Sequence, residues 1–142
     1  MIFLIILGMV DLHTDGILVR DSYCIIRPND MATYRMDVQG ATNIAGTQVQ
    51  LMRDVDGANQ AFHIQYVGDD QYKIGYGNEE LCIAVASDKE TVVIQGYDSE
   101  NEYNKWNISR IGTTQNYLFT NVAQAIRSVM NIHRSWHHTD SM

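Results

Sequence analysis

Three polar residues, Asp37, Gln50 and Asn59, are spaced so that they can meet at one point on a small β-sheet. Asp37 lies between apolar neighbours, and Gln50 and Met52 lie in a run of alternating polarity. Because strand side chains alternate with period two, Asp37, Gln50 and Met52 point away from the apolar face, and a glycine-containing turn returns Asn59 to the same end. Such a group over a covered core suits a small polar ligand. The alternative is ordinary surface polarity around a hairpin.

The rest of the chain reads as short alternating strands separated by turn residues, the pattern of a β-barrel or sandwich. No segment shows sustained apolar spacing at three and four residues with helix caps. The 142 residues, of which 45% are hydrophobic, suit a single globular domain with a sizeable core. We therefore predict an all-β protein with at least eight short strands and little helix.

Composition limits the partners. The net charge of -7 argues against nucleic acid and anionic membranes, whose phosphates attract Lys and Arg. The apolar stretch 1–10 is too short to span a bilayer and favours a buried strand. It lacks a clear signal-peptide pattern, and secretion stays open. Cys24 and Cys82 are predicted to be buried thiols, with a single disulfide as the alternative.

Catalytic and metal-binding patterns are weak. His133, His137 and His138 cluster near the C-terminus, but no firm helix brings them onto one face. The sequence contains no nucleophile elbow, phosphate loop or metalloprotease motif. We therefore expect a binding protein rather than an enzyme, with no catalytic residue, no metal and no cofactor.

The chain contains an internal repeat. Residues 34–64 return in weaker form over 80–108, and within them 49–52 aligns with 94–97. The period is 44 residues from Phe62 to Trp106, and strand starts at Tyr23, Tyr72 and Tyr117 recur about one unit apart. One such unit cannot bury its apolar face alone, so three pseudo-symmetric units must share one core.

At these residues the chain resembles the ricin B-chain-like lectins, which are β-trefoils with a Gln-x-Trp motif in each repeat. The motif reads Gln60-Ala61-Phe62 in the first unit and Asn104-Lys105-Trp106 in the second. The resemblance implies a β-trefoil whose third repeat is weak or incomplete. It makes residues 1–142 a single domain with repeats at about 22–68, 69–112 and 113–142.

The third repeat departs most from this pattern. Its motif would fall about one period after Trp106, beyond Met142. Three explanations are open: the unit is truncated, Trp136 closes a shortened unit, or residues 1–10 supply the missing strand.

The resemblance also implies a sugar site for galactose or its N-acetyl derivative. Asp37 takes the place of the carboxylate that accepts hydrogen bonds from two sugar hydroxyls, with Gln50 and Asn59 as further partners. Gln60 is expected to orient Asp37 and to support the fold. The aromatic position falls on Met52, whose thioether lacks the flat face of a ring, so weaker binding or a different sugar follows.

The other two units are predicted to be structural. In the second, Ala84 falls at the Asp position and Tyr103 at the Asn position, although Gln95 and Tyr97 match Gln50 and Met52 in the repeat alignment. In the third, Ser128 falls where the carboxylate would be. We therefore expect one sugar site, in the first unit.

Two functions follow. The first is a carbohydrate-binding lectin module for galactose-type glycans, in which pairing into a homodimer would raise avidity. The alternative is a β-trefoil scaffold that binds a protein partner, as a toxin-assembly subunit or inhibitor, with decayed sugar sites. Asp37 and Asn59 separate the two, because a sugar site needs both and a scaffold needs neither.

Overall fold

The computed structural model describes residues 5–7, 23–28, 33–55, 57–77, 80–113, 116–123 and 127–134. These ranges contain eleven strands and three short 3-10 helices, so the prediction of many strands with little helix is confirmed. No helix within these ranges is long and apolar enough to cross a membrane. The strands are β1 (Ile5–Leu7), β2 (Tyr23–Pro28), β3 (Tyr34–Val38), β4 (Val49–Arg53), β5 (Phe62–Gly68), β6 (Gln71–Tyr76), β7 (Leu81–Val85), β8 (Val92–Gly96), β9 (Trp106–Arg110), β10 (Asn116–Asn121) and β11 (Arg127–Arg134). The 3-10 helices span Gln39–Ala41, Ala58–Gln60 and Glu102–Asn104.

Six strands close into a barrel through antiparallel pairing. Around the ring, β2 pairs with β5, β5 with β6, β6 with β9, β9 with β10, β10 with β11, and β11 with β2. Two hairpins, β3–β4 and β7–β8, are inserted between successive barrel strands. The four-strand unit β2–β5 thus recurs as β6–β9, and the architecture is the predicted β-trefoil.

The third unit is shorter than the other two. Within the described residues β11 follows β10 without an intervening hairpin, and it hydrogen-bonds to β10 on one edge and to β2 on the other. At the same seam β1 pairs antiparallel with β10 and parallel with β11. The barrel is therefore closed by β11, and β1 is an added strand. Trp136 and the rest of 1–10 lie outside the described residues.

The two repeat aromatics share one core, as predicted. Phe62 and Trp106 belong to a single buried cluster with side chains from both hairpins and from β10. The Trp106 indole Nε1 donates to the Ile83 carbonyl of the second hairpin at 3.0 Å. Phe62 has no such donor and packs on Tyr76, with ring centroids 5.7 Å apart. The Trp106 bond therefore holds the second hairpin against the barrel, whereas the Phe62 contact joins the barrel strands β5 and β6.

The two cysteines are buried thiols, as predicted, and no disulfide joins them. Burial raises the pKa of the Cys82 thiol to about 12, against a smaller opposing effect from the charge of Lys73. A thiol with so high a pKa stays protonated at neutral pH, so Cys82 acts as a small apolar side chain.

The connection between β3 and β4 is fixed by the second unit. Gly46 N donates to the Ile94 carbonyl at 2.7 Å, and Ile94 N donates to the Thr47 carbonyl at 2.9 Å. Gly46 has φ +96°, a conformation that favours glycine. These bonds to β8 fix the start of β4, and with it the position of Gln50.

We predict that Trp106→Phe lowers the free energy of unfolding by about 1–2 kcal/mol, because the buried Ile83 carbonyl loses the donor supplied by the indole. Urea unfolding followed by far-ultraviolet circular dichroism measures the change. A variant with the urea midpoint of the wild type would contradict this role for the indole hydrogen bond.

Candidate functional site

Asp37 lies at the centre of the first hairpin. It is directly opposite Gln50, and the next pair, Val38 and Val49, points to the other face. The alternation predicted from sequence is therefore present. Asp37 points away from the apolar face, as predicted, but it is not a surface residue: this second face is also covered, and Asp37 is only 2% exposed. Burial raises the pKa of Tyr76, and the charge of Asp37 raises it further.

Three side-chain amides hold the Asp37 carboxylate. Gln50 Nε2 donates to Oδ1 at 3.1 Å. Asn59 Nδ2 and Gln60 Nε2 donate to Oδ2 at 3.1 Å and 2.9 Å. A carboxylate has about four acceptor positions, so these amides satisfy most of its capacity. A buried charge is costly unless it is hydrogen-bonded, and this network is what permits an aspartate here.

Gln60 links the carboxylate to the chain that follows β4. Its Nε2 also donates to the Arg53 carbonyl at 3.1 Å, and its Oε1 accepts from Val55 N at 3.1 Å. The side chain is fully buried. Its geometry fits the expected role of orienting Asp37 while supporting the fold.

Asn59 is positioned by a tight turn. It lies in the 3-10 helix Ala58–Gln60, and its Nδ2 donates to the Val38 carbonyl as well as to Asp37. A Cβ atom on Gly57 would lie 2.7 Å from Asn59 Oδ1, so any other residue at Gly57 would displace the Asn59 side chain.

Met52 lies on the same face, two residues beyond Gln50. It is 41% exposed and sits opposite Arg35 in the β3–β4 pairing. Arg35 is buried, and its Nη2 forms an ion pair with Asp54 Oδ2 at 2.8 Å. Burial lowers the pKa of Arg27. The charge of the nearby Arg35 lowers this pKa further, whereas the charge of Asp54 raises it.

The structure thus joins four of the five predicted site residues by hydrogen bonds and leaves Met52 beside them, outside that network. Sequence reasoning missed Arg35 and Asp54. The available signal was their spacing, because Arg35 precedes Asp37 by two residues and Asp54 follows Met52 by two, which places both on the polar face.

The second unit differs from the repeat alignment. Ala84 pairs with Val93, as Asp37 pairs with Gln50, whereas Gln95 lies opposite Cys82. The match of Gln50 to Gln95 is therefore two residues out. Ten residues connect β3 to β4 but only six connect β7 to β8, and this length difference shifts the alignment.

A buried amide in the second unit marks the missing carboxylate. Asn104 Oδ1 accepts from Asp98 N at 2.7 Å, just as Gln60 Oε1 accepts from Val55 N. Asn104 Nδ2, however, is buried without a hydrogen-bond partner among the described residues. The position that supplies Asp37 in the first unit is Ala84 here, so the second unit lacks the acceptor its own amide would use.

No sugar-binding carboxylate is described in the third unit, and no metal-binding cluster is found in the described residues. Ser128 lies on β11 opposite Phe119, and its side chain is not described. The described part of the chain contains no group of three His, Cys, Asp or Glu residues suited to a metal ion. His137 and His138 lie outside it.

The chain was compared with known proteins. No protein-family model and no curated protein sequence matches it. Solved structures with a similar fold include a designed three-fold symmetric protein, ThreeFoil, with TM-score 0.65 and 14% identity over 80% of this chain and 98% of that one. A mosquitocidal holotoxin has TM-score 0.70 and 17% identity, over 87% of this chain and 18% of that one. A Polyporus squamosus lectin bound to the human-type influenza-binding epitope Neu5Aca2-6Galb1-4GlcNAc has TM-score 0.62 and 18% identity, over 78% of this chain and 40% of that one.

These similarities support the β-trefoil fold. This chain spans less than half the length of the holotoxin and of the lectin, and at such identities the likeness extends to the fold alone.

We predict that two volume-matched substitutions differ in cost. Gln60→Met removes the amide that links Asp37, Arg53 and Val55, and should lower the free energy of unfolding by about 2–4 kcal/mol. Asn104→Leu removes one acceptor together with a donor that lacks a partner in the described structure, and should cost about 1 kcal/mol or less. Urea denaturation compares them, and equal losses would contradict the difference between the two networks.

Proposed function

We propose that the chain is a carbohydrate-binding module of the ricin B-chain-like type, with one site for galactose-type sugars in the first unit. The observation that carries the proposal is the Asp37 carboxylate, held by Gln50, Asn59 and Gln60 at one end of the first hairpin. The residue types and spacing are those that the sequence resemblance implies for a sugar site. Similar folds occur in a mosquitocidal toxin and in a lectin that was solved with a bound glycan, and this supports the proposal.

Binding would exchange amide bonds for sugar bonds. Three of the roughly four acceptor positions of Asp37 are occupied by amides, so Oδ1 keeps one position for a sugar hydroxyl. Because Asp37 is only 2% exposed, a hydroxyl reaches it only after a covering amide moves aside. A second hydroxyl replaces either Gln50 or Asn59, both half-buried at the edge of the site. The displaced amide then turns to the sugar, while the fully buried Gln60 keeps Asp37 in place.

The second candidate is a scaffold that binds a protein partner without sugar. The deep burial of Asp37 favours it, because a carboxylate paired with three amides is already stable with no ligand. The absence of an aromatic ring at Met52 points the same way. Binding of any glycan by the wild-type chain decides between the two functions.

The proposal extends to assembly and partners. The chain has one site in a single module of 142 residues, and pairing of two chains into a homodimer would raise its avidity for clustered glycans. Glycans are the proposed partners, and the net charge of -7 argues against nucleic acid.

We predict that Met52→Trp tightens binding of methyl galactoside by about 1 kcal/mol, because an indole beside Gln50 can stack on the apolar face of the sugar. Met52 is 41% exposed, so the larger ring has room at the surface. Titration calorimetry on both proteins measures the change. A folded variant with equal or weaker affinity would place Met52 outside the binding surface.

We predict that Asp37→Asn weakens galactoside binding more than tenfold, because hydrogen bonds to a charged group are worth roughly 1.5–3 kcal/mol each. Asparagine is preferred to alanine because it fills the buried position and keeps one acceptor oxygen for the surrounding amides. The control is Tyr97→Ala in the second unit, which should leave the affinity unchanged. The site assignment would be wrong if Tyr97→Ala abolished binding and Asp37→Asn did not.

A further inference from the structure

A second carboxylate, Asp54, lies on the same face as the proposed sugar site and is not part of the Asp37 network. Asp54 N donates to the Thr33 carbonyl at 2.9 Å, which extends the β3–β4 pairing by one residue beyond Arg53. The side chains of Gln50, Met52 and Asp54 therefore form one row along this edge. The inference that follows rests on the proposed lectin function.

Asp54 is held in place yet open to solvent. Its Oδ2 accepts from Arg35 Nη2 at 2.8 Å, and the Arg35 side chain is only 8% exposed. The Asp54 side chain is 41% exposed. A buried, hydrogen-bonded arginine restricts the rotamers of its carboxylate partner, so Asp54 presents a positioned acceptor at the surface. Asp37, by contrast, is almost fully enclosed.

The distance between the two carboxylates sets the size of the ligand. Asp54 lies four residues beyond Gln50, the residue opposite Asp37, which corresponds to roughly 13 Å along an extended strand. A single sugar ring cannot contact both ends of such a span. Met52 lies between them, with an exposed thioether that can pack on sugar carbon.

We propose that the first-unit site is extended and takes two linked neutral sugars, one at Asp37 and the next at Asp54, which Arg35 positions. Asp54 is then a specificity residue, because an exposed carboxylate accepts from hydroxyls and repels a second residue that carries an acid. The ligand class is a neutral oligosaccharide that ends in a galactose-type sugar.

Three probes test the extension by titration calorimetry: methyl galactoside, lactose, and lactobionate, whose second residue carries a carboxylate. The wild-type chain should bind lactose more tightly than methyl galactoside, and lactobionate more weakly than lactose. Asp54→Asn keeps a carbonyl for Arg35 but loses the charge. It should weaken lactose about fivefold, leave methyl galactoside within about twofold, and reduce the penalty on lactobionate.

Two control variants test whether the effect of Asp54→Asn comes from the loss of the charge at this position. Asp69→Asn removes the same charge from the exposed β5–β6 turn, where φ is +53° and asparagine is tolerated, and should alter none of the three affinities. Asp54→Glu keeps the charge, and should keep both the preference for lactose and the penalty on lactobionate.

The outcomes are distinguishable. Loss of the lactose preference in Asp54→Asn, with both controls unchanged, supports the extended site. Equal effects of Asp54→Asn on methyl galactoside and lactose, or no effect on either, overturn the extension while leaving the sugar site at Asp37 intact. Failure of the wild-type chain to bind any of the probes overturns the lectin proposal and the extension with it.

Discussion

The first unit depends on one buried charge. Asp37 is enclosed in the β3–β4 hairpin, where its carboxylate can exist only because Gln50, Asn59 and Gln60 donate to it. The same bonds tie the 3-10 helix Ala58–Gln60 to the hairpin and set the course of the chain after Arg53. Local structure and candidate chemistry therefore rest on the same side chains.

The second unit shows what the fold requires when that charge is absent. Val93 and Ala84 make its equivalent face apolar and buried, and Trp106 still fixes the hairpin through the Ile83 carbonyl. Asn104 Oδ1 still accepts from the backbone of Asp98, but Asn104 Nδ2 has no hydrogen-bond partner within the described chain. The trefoil thus needs the aromatic core and the backbone bond, while the carboxylate belongs to the first unit.

Period-two alternation and the spacing of Phe62 and Trp106 were enough to predict the all-β fold and its shared core, because both reflect the burial of whole strands. The convergence of Asp37 and Gln50 also followed from alternation, and the glycine-containing turn before Asn59 predicted its return to the same end. The enclosure of Asp37 did not, since it depends on a 3-10 helix folding back over the hairpin. Closure of the barrel by β11 depends on pairing with β2, a contact between distant segments that local patterns do not contain.

The central claim is that sugar binds at the Asp37 carboxylate and displaces or turns the Gln50 and Asn59 amides that surround it. The most direct test is nitrogen-15 heteronuclear correlation spectroscopy of the side-chain amides during titration with methyl galactoside. The account predicts that the amide signals of Gln50 and Asn59 shift with saturation, while Asn104 and the Trp106 indole do not move. Unchanged Gln50 and Asn59 signals at saturating sugar, or shifts confined to the second unit, would contradict it.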